Sequence, residues 1–599
     1  MIPLPNPSQK PITPFRQAIE AVEHWLDGKG AAFVKRSNRL EARRKAASWE
    51  FELDHPTLGA HIVQLAITHD FPANTPQVYF PASLCLKLPH IEEDGKFCHG
   101  VDPSPNDYDD PCKVIDEVLK KLSQFWVNSI NPAWVNAEFQ RECLAYWSRF
   151  CYLFYRKNGM PTPRSVCAVL MPITQVTEGR LASYRAKEPG RAASRSDKEL
   201  RSTRVLTTMG SADPHAVALQ HGWSTGTLVR GDALWVPLAP CSSWTPKDWP
   251  QSLDELESLV RMASGDKHSV KEWLTEKTEQ EAKEKTAGRY RSKLIVLVQG
   301  GTCYGYLITP SFIPYLTAPS IVPVEIERVD ADWALARDYD LTLLRGRRNK
   351  RVLMIGCGSL GAPIAELLAK SGVSELHLAD KEFFSIENCA RHVLGAEHIG
   401  MAKASVLADR IRRQIPGVKT KPLRVLAADW VSQVCSPGSY DLIIDCTGES
   451  SVRTVLSRFR ERAFGDVGIV HVWLEPFGAA AHTIYANSDL PWPYDDPWER
   501  VNAAHWPQDV RVKLPACSSG FNPYGAADAW QAAGFAAERI LACLNLEVPE
   551  SMVWSWVRSS AYFDKLNVET GRTELIPEKG SIFDSCYVTR SLQTVLADE

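Results

Sequence analysis

Between Arg351 and Asp445 the chain concentrates residue types suited to holding a phosphorylated nucleotide. Gly356, Gly358 and Gly361 form G-x-G-x-x-G directly behind the apolar run Val352 to Ile355. That spacing predicts a strand, a tight turn and a helix whose N-terminal N–H groups attract an anion. Asp380 closes the next apolar run, where a carboxylate can accept hydrogen bonds from a ribose. The glycines and this aspartate alone fit a NAD-dependent oxidoreductase equally well. Asn388 and Arg391 follow, three residues apart, so on a helical turn they share one face and can both reach phosphate oxygens. Lys403 adds a compact point charge, and Asp445, at the end of the run Leu442 to Ile444, is a hard oxygen ligand suited to magnesium. Hydride transfer has no need of this second set, whereas a triphosphate attacked at its α phosphorus does.

Two cysteines are candidates for acyl transfer. Cys98 lies just past Gly95 in the breaker-rich stretch LPHIEEDGKFCHG, and Cys517 lies between Pro515 and Gly520, ahead of an Ala-rich helix predicted over 526–544. A thiol at a helix N-terminus loses its proton more readily, and the thiolate is the nucleophile. Taken alone, each is equally a small buried hydrophobe; Cys357 and Cys446 are read as packing residues. Beside Cys98, His99 either lowers the thiol pKa or faces solvent, and His90 is either a support for the reacting carbonyl or a structural histidine.

These residues need elements to position them. Apolar spacing predicts a helix over 15–26, half-buried strands over 49–53 and 62–68, a proline-punctuated turn DFPANTPQVYFP, and a helix over 114–126. The stretch RLASYRAKEPGRAASRSDKELRSTR, 180–204, is basic and poor in large apolar residues, which reads as a linker or exposed face. A nucleic-acid patch is the sharper alternative, but Tyr184 is its one stacking residue. Alternating runs flanking a charged helical stretch over 254–285 predict a small α+β connecting domain. Beyond Asp445, strands are expected over 469–474 and 480–485.

Composition narrows the classes. A formal charge of −3 and 44% hydrophobic residues describe an ordinary soluble protein with no bulk attraction to nucleic acid or membrane. Prolines interrupt the first fifteen residues where a signal peptide needs an apolar core, and no run reaches the roughly 20 apolar residues of a membrane span; a cytoplasmic location is expected. Fifteen cysteines occur with no C-x-x-C pair, against a structural zinc site or a thioredoxin motif and in favour of reduced thiols.

The order Gly356, Gly358, Gly361, Asp380, Asn388, Arg391, Lys403 and Asp445 resembles the adenylating domain of ubiquitin-activating enzymes and of the bacterial ThiF-like proteins that adenylate ThiS- and MoaD-like carriers. The resemblance covers roughly residues 340 to 545. It implies a Rossmann-like nucleotide fold, ATP and Mg2+ as cofactors, and a homodimer through this region. In that family an arginine of the lead-in segment reaches ATP across the dimer, a role the resemblance offers to Arg345 or Arg348; a solvated basic segment accounts for them equally. The chain lacks the C-x-x-C zinc pairs many of these relatives carry. Cys517 with its following proline and helix resembles the acceptor-cysteine region of autophagy-type activating enzymes.

The N-terminal order of helix, meander, F-P-x-x-x-P turn, cysteine loop and helix resembles the ubiquitin-conjugating fold, which implies that Cys98 is an acceptor cysteine. Where that family has His-Pro-Asn, this chain has Pro89-His90-Ile91, so the family's oxyanion donor has no counterpart. The expected architecture is therefore α/β: a ubiquitin-conjugating-like domain over 1–155, a linker over 156–210, a connecting α+β domain over 211–330, and a ThiF-like adenylation domain over 331–599. Such a fusion resembles the ubiquitin-transferase-like proteins of bacterial CD-NTase antiphage systems (CBASS). The resemblance implies activation of the C-terminal carboxylate of a CD-NTase or ubiquitin-like carrier, a relay from Cys517 to Cys98, and conjugation to a target amine. A NAD-dependent oxidoreductase and an ATP-binding scaffold without thioester chemistry remain the alternatives.

Overall fold

The computed structural model describes residues 13–29, 32–36, 46–160, 165–185, 205–224, 226–240, 243–283, 291–309, 320–337, 340–426, 429, 431, 435–507, 510–512 and 522–597. The chain forms two compact units, one built from residues 1–215 and 224–328, the other from 216–223 and 329–599.

The first unit begins with a helix over Thr13–Asp27 and an antiparallel meander in chain order, β1 (Val34–Arg36), β2 (Ala47–His55), β3 (Gly59–Ile67) and β4 (Gln77–Tyr79). Ile19, Val22 and Leu26 recur at helical spacing and bury against Trp49, Val63 and Leu65 of the sheet and Val118 and Leu122 of the Pro111–Asn128 helix. Asp110 caps that helix, its carboxylate accepting from the Lys113 N–H at 3.3 Å with Pro111 at the first position. Gly95 is obligatory between β4 and the cysteine loop: its φ is +92°, and a Cβ there would lie 2.0 Å from the Phe80 carbonyl oxygen.

Within the segment expected as a linker over 156–210, the strands Ser165–Val169, Thr177–Arg185 and Val205–Met209 instead belong to a barrel. Among the described residues β5 (Ser165–Val169), β6 (Thr177–Arg185), β7 (Val205–Met209), β8 (Thr227–Pro237), β9 (Lys293–Gln299), β10 (Thr302–Thr309) and β11 (Ser320–Arg328) close in the order β10-β11-β5-β7-β6-β8-β9. Val166, Leu181, Val205, Trp235, Val296, Cys303 and Val324, one from each strand, form one cluster; this is the interior. The alternate residues Leu234, Val236, Ile295 and Tyr306 face outward onto the Cys143–Lys157 and Leu253–Ser264 helices. Of the basic stretch 180–204, residues 180–185 belong to β6, with Leu181, Ala182 and Tyr184 buried; the remainder lies outside the described residues.

The second unit is a sheet in the order β14-β13-β12-β15-β16-β17, extended by strands Met552–Arg558 and Ser585–Ser591. Here β12 is Arg351–Ile355, β13 Glu375–Ala379, β14 Lys419–Leu423, β15 Leu442–Asp445, β16 Ile469–Leu474 and β17 Ala480–Ala486. Pairing is parallel from β14 to β16 and antiparallel from β16 onward. Successive β12 residues serve two cores. Val352 and Met354 pack with the Gly361–Lys370, Lys403–Gln414 and Ala526–Leu544 helices, while Leu353 and Ile355 pack with Val452 and Leu456 of the Ser450–Arg458 helix. A strand covered on both faces reads as a continuous apolar run. Residues 216–223, which fall between β7 and β8 in the chain, belong to this unit: the Gln220 amide donates to the Arg412 carbonyl at 3.5 Å and the His221 ring meets the Arg413 carbonyl at 2.9 Å. Those carbonyls lie in the last turn of the 403–414 helix, where they lack helical partners.

Candidate active site

Gly356, Asp380 and Asp445, expected from the sequence to serve a nucleotide, stand at the C-terminal ends of β12, β13 and β15, the edge at which a parallel α/β sheet binds ligands. Gly356 leaves β12 with φ +88°, and a Cβ there would meet Cys446 and Thr447 backbone atoms at 3.0 Å. Gly361 is more constrained, because its Cβ would lie 1.9 Å from the Gly356 carbonyl oxygen. At Gly358 nothing stands within 4 Å of an added Cβ, so that position is open toward solvent or ligand. Burial pushes the Cys357 and Cys446 thiols well above their ordinary pKa, as packing residues require.

Asp380 stands at the end of β13. Its carboxylate accepts from the Cys357 N–H at 2.7 Å through one oxygen and from the Glu382 N–H at 2.7 Å through the other, so it braces the glycine turn. Burial raises its pKa. His392 braces the same turn: one ring nitrogen meets the Cys357 carbonyl at 2.6 Å and the other accepts from the Leu394 N–H at 3.1 Å. Burial lowers its pKa to about 4, which keeps it neutral.

Asn388 ends a 3-10 turn over Ile386–Asn388, its side-chain oxygen accepting from the Ser385 N–H at 3.1 Å. The Arg391 N–H donates to the Asn388 carbonyl at 3.0 Å, so the two stay adjacent, and the Arg391 guanidinium lies over the Tyr524 ring and donates to the Asn522 carbonyl at 3.2 Å. Lys403 opens its helix, 5% exposed, with its ammonium 2.6 Å from the Glu382 carboxylate.

Two clefts lie at this edge; Asn388, Arg391 and Lys403 line neither, but Arg391 touches Tyr524 and Asn522 of the larger and Lys403 touches Glu382 of the smaller. The smaller, about 290 Å³, runs from Gly356 and Asp380 past Glu382 to Val425, Leu426 and Val455, apolar at one end and polar at the other. The larger, about 1220 Å³, is bounded by Arg453, Trp473, Glu475, Trp506 and Tyr524. Gly358, Thr447, Glu449 and Ser451 line both. The wide cleft has a fixed floor. Arg453 holds Asp496 by two bonds of 2.7 and 2.9 Å, and Glu475 accepts from the Ala503 N–H and Trp506 Nε1 and meets the His482 ring.

Asp445 is 1% exposed and both its oxygens are engaged. One accepts from the Thr447 N–H and hydroxyl at 3.0 and 2.6 Å, and the other meets the His471 ring at 3.0 Å. This carboxylate anchors the Thr447 turn and lines neither cleft; the expected magnesium role would require it to give up one of these bonds. Among the described residues no group of three His, Cys, Asp or Glu side chains could hold a metal ion. Arg348 pairs with Asp332, and Arg345 is exposed near the end of the Leu341–Arg347 helix.

Cys98 is exposed, its N–H donating to the His90 carbonyl at 2.8 Å. The His90 ring is hydrogen-bonded to the Glu138 carboxylate at 3.0 Å. His99 neither faces open solvent nor points at the thiol. Its Nε2 donates to the Pro76 carbonyl at 2.8 Å while Nδ1 accepts from the Val101 N–H at 3.1 Å, and burial lowers its pKa. Cys517 lies outside the described residues; the helix ahead of which it falls spans Ala526–Leu544.

Residues 25–154 match the model of prokaryotic E2 family B, and residues 335–463 match that of the ThiF family. The chain joins an E2-like domain to a ThiF-like one. A Vibrio cholerae protein described as ATP-dependent ubiquitin transferase-like protein Cap2 is 26% identical over 247 residues, 37% of this chain and 40% of that one. An Enterobacter hormaechei protein of the same description is 30% identical over 220 residues, 34% of this chain and 36% of that one. The aligned stretches thus span less than half the length of either relative. A solved Escherichia coli MccB structure with ATP aligns at 16% identity over 39% of this chain and 67% of that chain, with a TM-score of 0.27. In the ThiF-like domain, Glu382 and Thr447 are the functional candidates that sequence reasoning passed over. Each carried a signal, Glu382 two residues after Asp380 and Thr447 beside Asp445 in the CTG turn. In the E2-like domain Cys98 is exposed. Among the described residues no helix is long and apolar enough to cross a membrane.

Proposed function

We propose that this chain activates the C-terminal carboxylate of a protein with ATP and passes the acyl group through two cysteines to an amine. The observation that carries this reading is the pair of clefts sharing Gly358 and Thr447, one sized for a nucleoside beside Asp380, the other wide and polar enough for an extended chain end. A carboxylate oxygen attacks the α phosphorus of ATP, the bond to pyrophosphate breaks, and an acyl-adenylate forms. Asn388, Arg391 and Lys403 offset the charge on the phosphates, and the N–H groups of the glycine turn face the same anion. The Cys517 thiolate then attacks the acyl carbon and AMP departs; the Cys98 thiolate takes the acyl group by thioester exchange; an amine attacks, forming an amide and releasing the thiol. Mg2+ is the metal such a triphosphate brings, and no step here depends on a protein ligand for it.

The matches to ubiquitin transferase-like proteins support a ubiquitin-like protein as carrier; a CD-NTase as carrier, a place in antiphage defence, and a homodimer through the ThiF-like domain with Arg345 or Arg348 reaching across it belong to the same proposal and rest on the resemblance of the fused domains. The test is ATP–pyrophosphate exchange and adduct formation with a CD-NTase or ubiquitin-like protein as carrier. Exchange should require the carrier's free C-terminal carboxylate. Cys98→Ala should accumulate a reductant-sensitive adduct on Cys517, and Cys517→Ala should leave both cysteines empty while adenylate still forms. Carrier-independent exchange, or NADH oxidation in its place, would remove the proposal. Full loading of Cys98 in Cys517→Ala would return Cys517 to a structural role.

A further inference from the structure

Glu382 is the hub through which the ribose end and the phosphate end of the nucleotide cleft are joined. Its N–H donates to Asp380 at 2.7 Å, its carbonyl accepts from the Lys403 N–H at 3.0 Å, and its carboxylate holds the Lys403 ammonium at 2.6 Å. The flanking backbone repeats the join, Phe383 bridging Ala402 and the Phe384 N–H donating to the Met401 carbonyl at 2.8 Å. Of the ion pair, Glu382 faces the cleft and Lys403 stands behind it: the Glu382 side chain is 55% exposed and the Lys403 side chain 6%. The 403–414 helix has no side-chain cap at its first turn, so Glu382 also supplies the negative charge favoured there. A buried ammonium without a counter-charge is costly, and only an anion can replace the one it has.

Resting on the adenylating reading of this site, we propose that Glu382 is a displaceable counter-ion: its carboxylate holds Lys403 in the empty site and is expelled when a nucleotide polyphosphate takes over the ammonium. Glu382 is thus a residue that sets polyphosphate affinity against nucleoside affinity. Its backbone bonds stay in place while its side chain swings, so Asp380 keeps its position throughout the exchange.

The test is titration calorimetry of the full chain with ATP and with adenosine, in wild type and Glu382→Gln. Glutamine keeps the shape and the backbone bonds but has no charge to compete. ATP should bind about fivefold more tightly to the variant or better, and adenosine should bind both proteins equally. The melting temperature of the ligand-free variant should fall and its rise on adding ATP should exceed that of wild type. In a Lys403→Met background the Glu382→Gln change should have no effect on ATP affinity. Unchanged or weaker ATP binding in Glu382→Gln overturns the proposal, as does an equal shift for adenosine, which would trace the effect to Asp380. Wild-type protein that binds no ATP at all would instead remove the adenylating reading.

Discussion

Asp445 and His392 show how far a residue's type falls short of its role. An aspartate at the end of a buried strand beside a glycine turn has the chemistry of a magnesium ligand, and nothing in the sequence reveals that Thr447 and His471 occupy both its oxygens. The two roles separate by measurement. Asp445→Ala strips partners from a half-buried N–H and a buried imidazole, which should cost about 1–3 kcal/mol in urea unfolding and reduce exchange along with it; a variant that lost exchange without losing stability would support the metal role. His392 carries a pH dependence. Its folded pKa, about 4, lies below the ordinary value near 6.5, so the unfolded chain binds the proton first. Stability from this residue is complete above pH 6.5 and declines as pH falls toward 4, by up to about 3 kcal/mol. The ThiF-like domain should lose stability over that interval in acid titrations followed by calorimetry, and His392→Gln should flatten the slope.

At the scale of elements, the parts legible in the sequence were those whose signals are local. Ile469–Leu474 emerged as a strand and Ala526–Leu544 as a helix with the bounds expected, because a mostly apolar run or an alanine-rich period needs no distant partner to be recognised. The barrel was not legible. Its closure depends on parallel pairs such as Ile326 with Val166 and Ala168 with Thr207, the first bringing together segments 160 residues apart in the chain. In β6, Arg180 and Arg185 flank the buried Leu181 and Tyr184, and charge masked the alternation. The glycine turn gives a sharper element-level expectation. Gly361→Ala must push a methyl into the Gly356 carbonyl and should destabilise the ThiF-like domain by about 3 kcal/mol, seen as a lower melting temperature. Gly358→Ala has room for its methyl, so it should melt as wild type while ATP titration shows weakened binding. Equal melting temperatures for the two variants would contradict the packing described for the turn.

At the scale of the whole molecule, the proposed two-cysteine relay would have to carry an acyl group from the ThiF-like domain to the E2-like one, within one chain or between chains. Mixing Cys98→Ala with Cys517→Ala protein separates the routes: recovered conjugation, read on a denaturing gel, means transfer between protomers, and failure with each variant correctly folded means transfer within one. Dissection of the molecule must also respect the short excursion over 216–223. The polypeptide leaves its first unit after His215, contributes eight residues to the second, and returns at Ser224 before crossing finally at Val329. A single cut near 329 therefore yields two incomplete halves: the C-terminal fragment lacks the stretch that satisfies the Arg412 and Arg413 carbonyls, and the N-terminal fragment carries that stretch with nothing to dock against. A synthetic peptide covering 214–224 should bind the isolated 329–599 fragment and raise its melting temperature, so that the ThiF-like half of this protein would be prepared as a complemented pair of pieces.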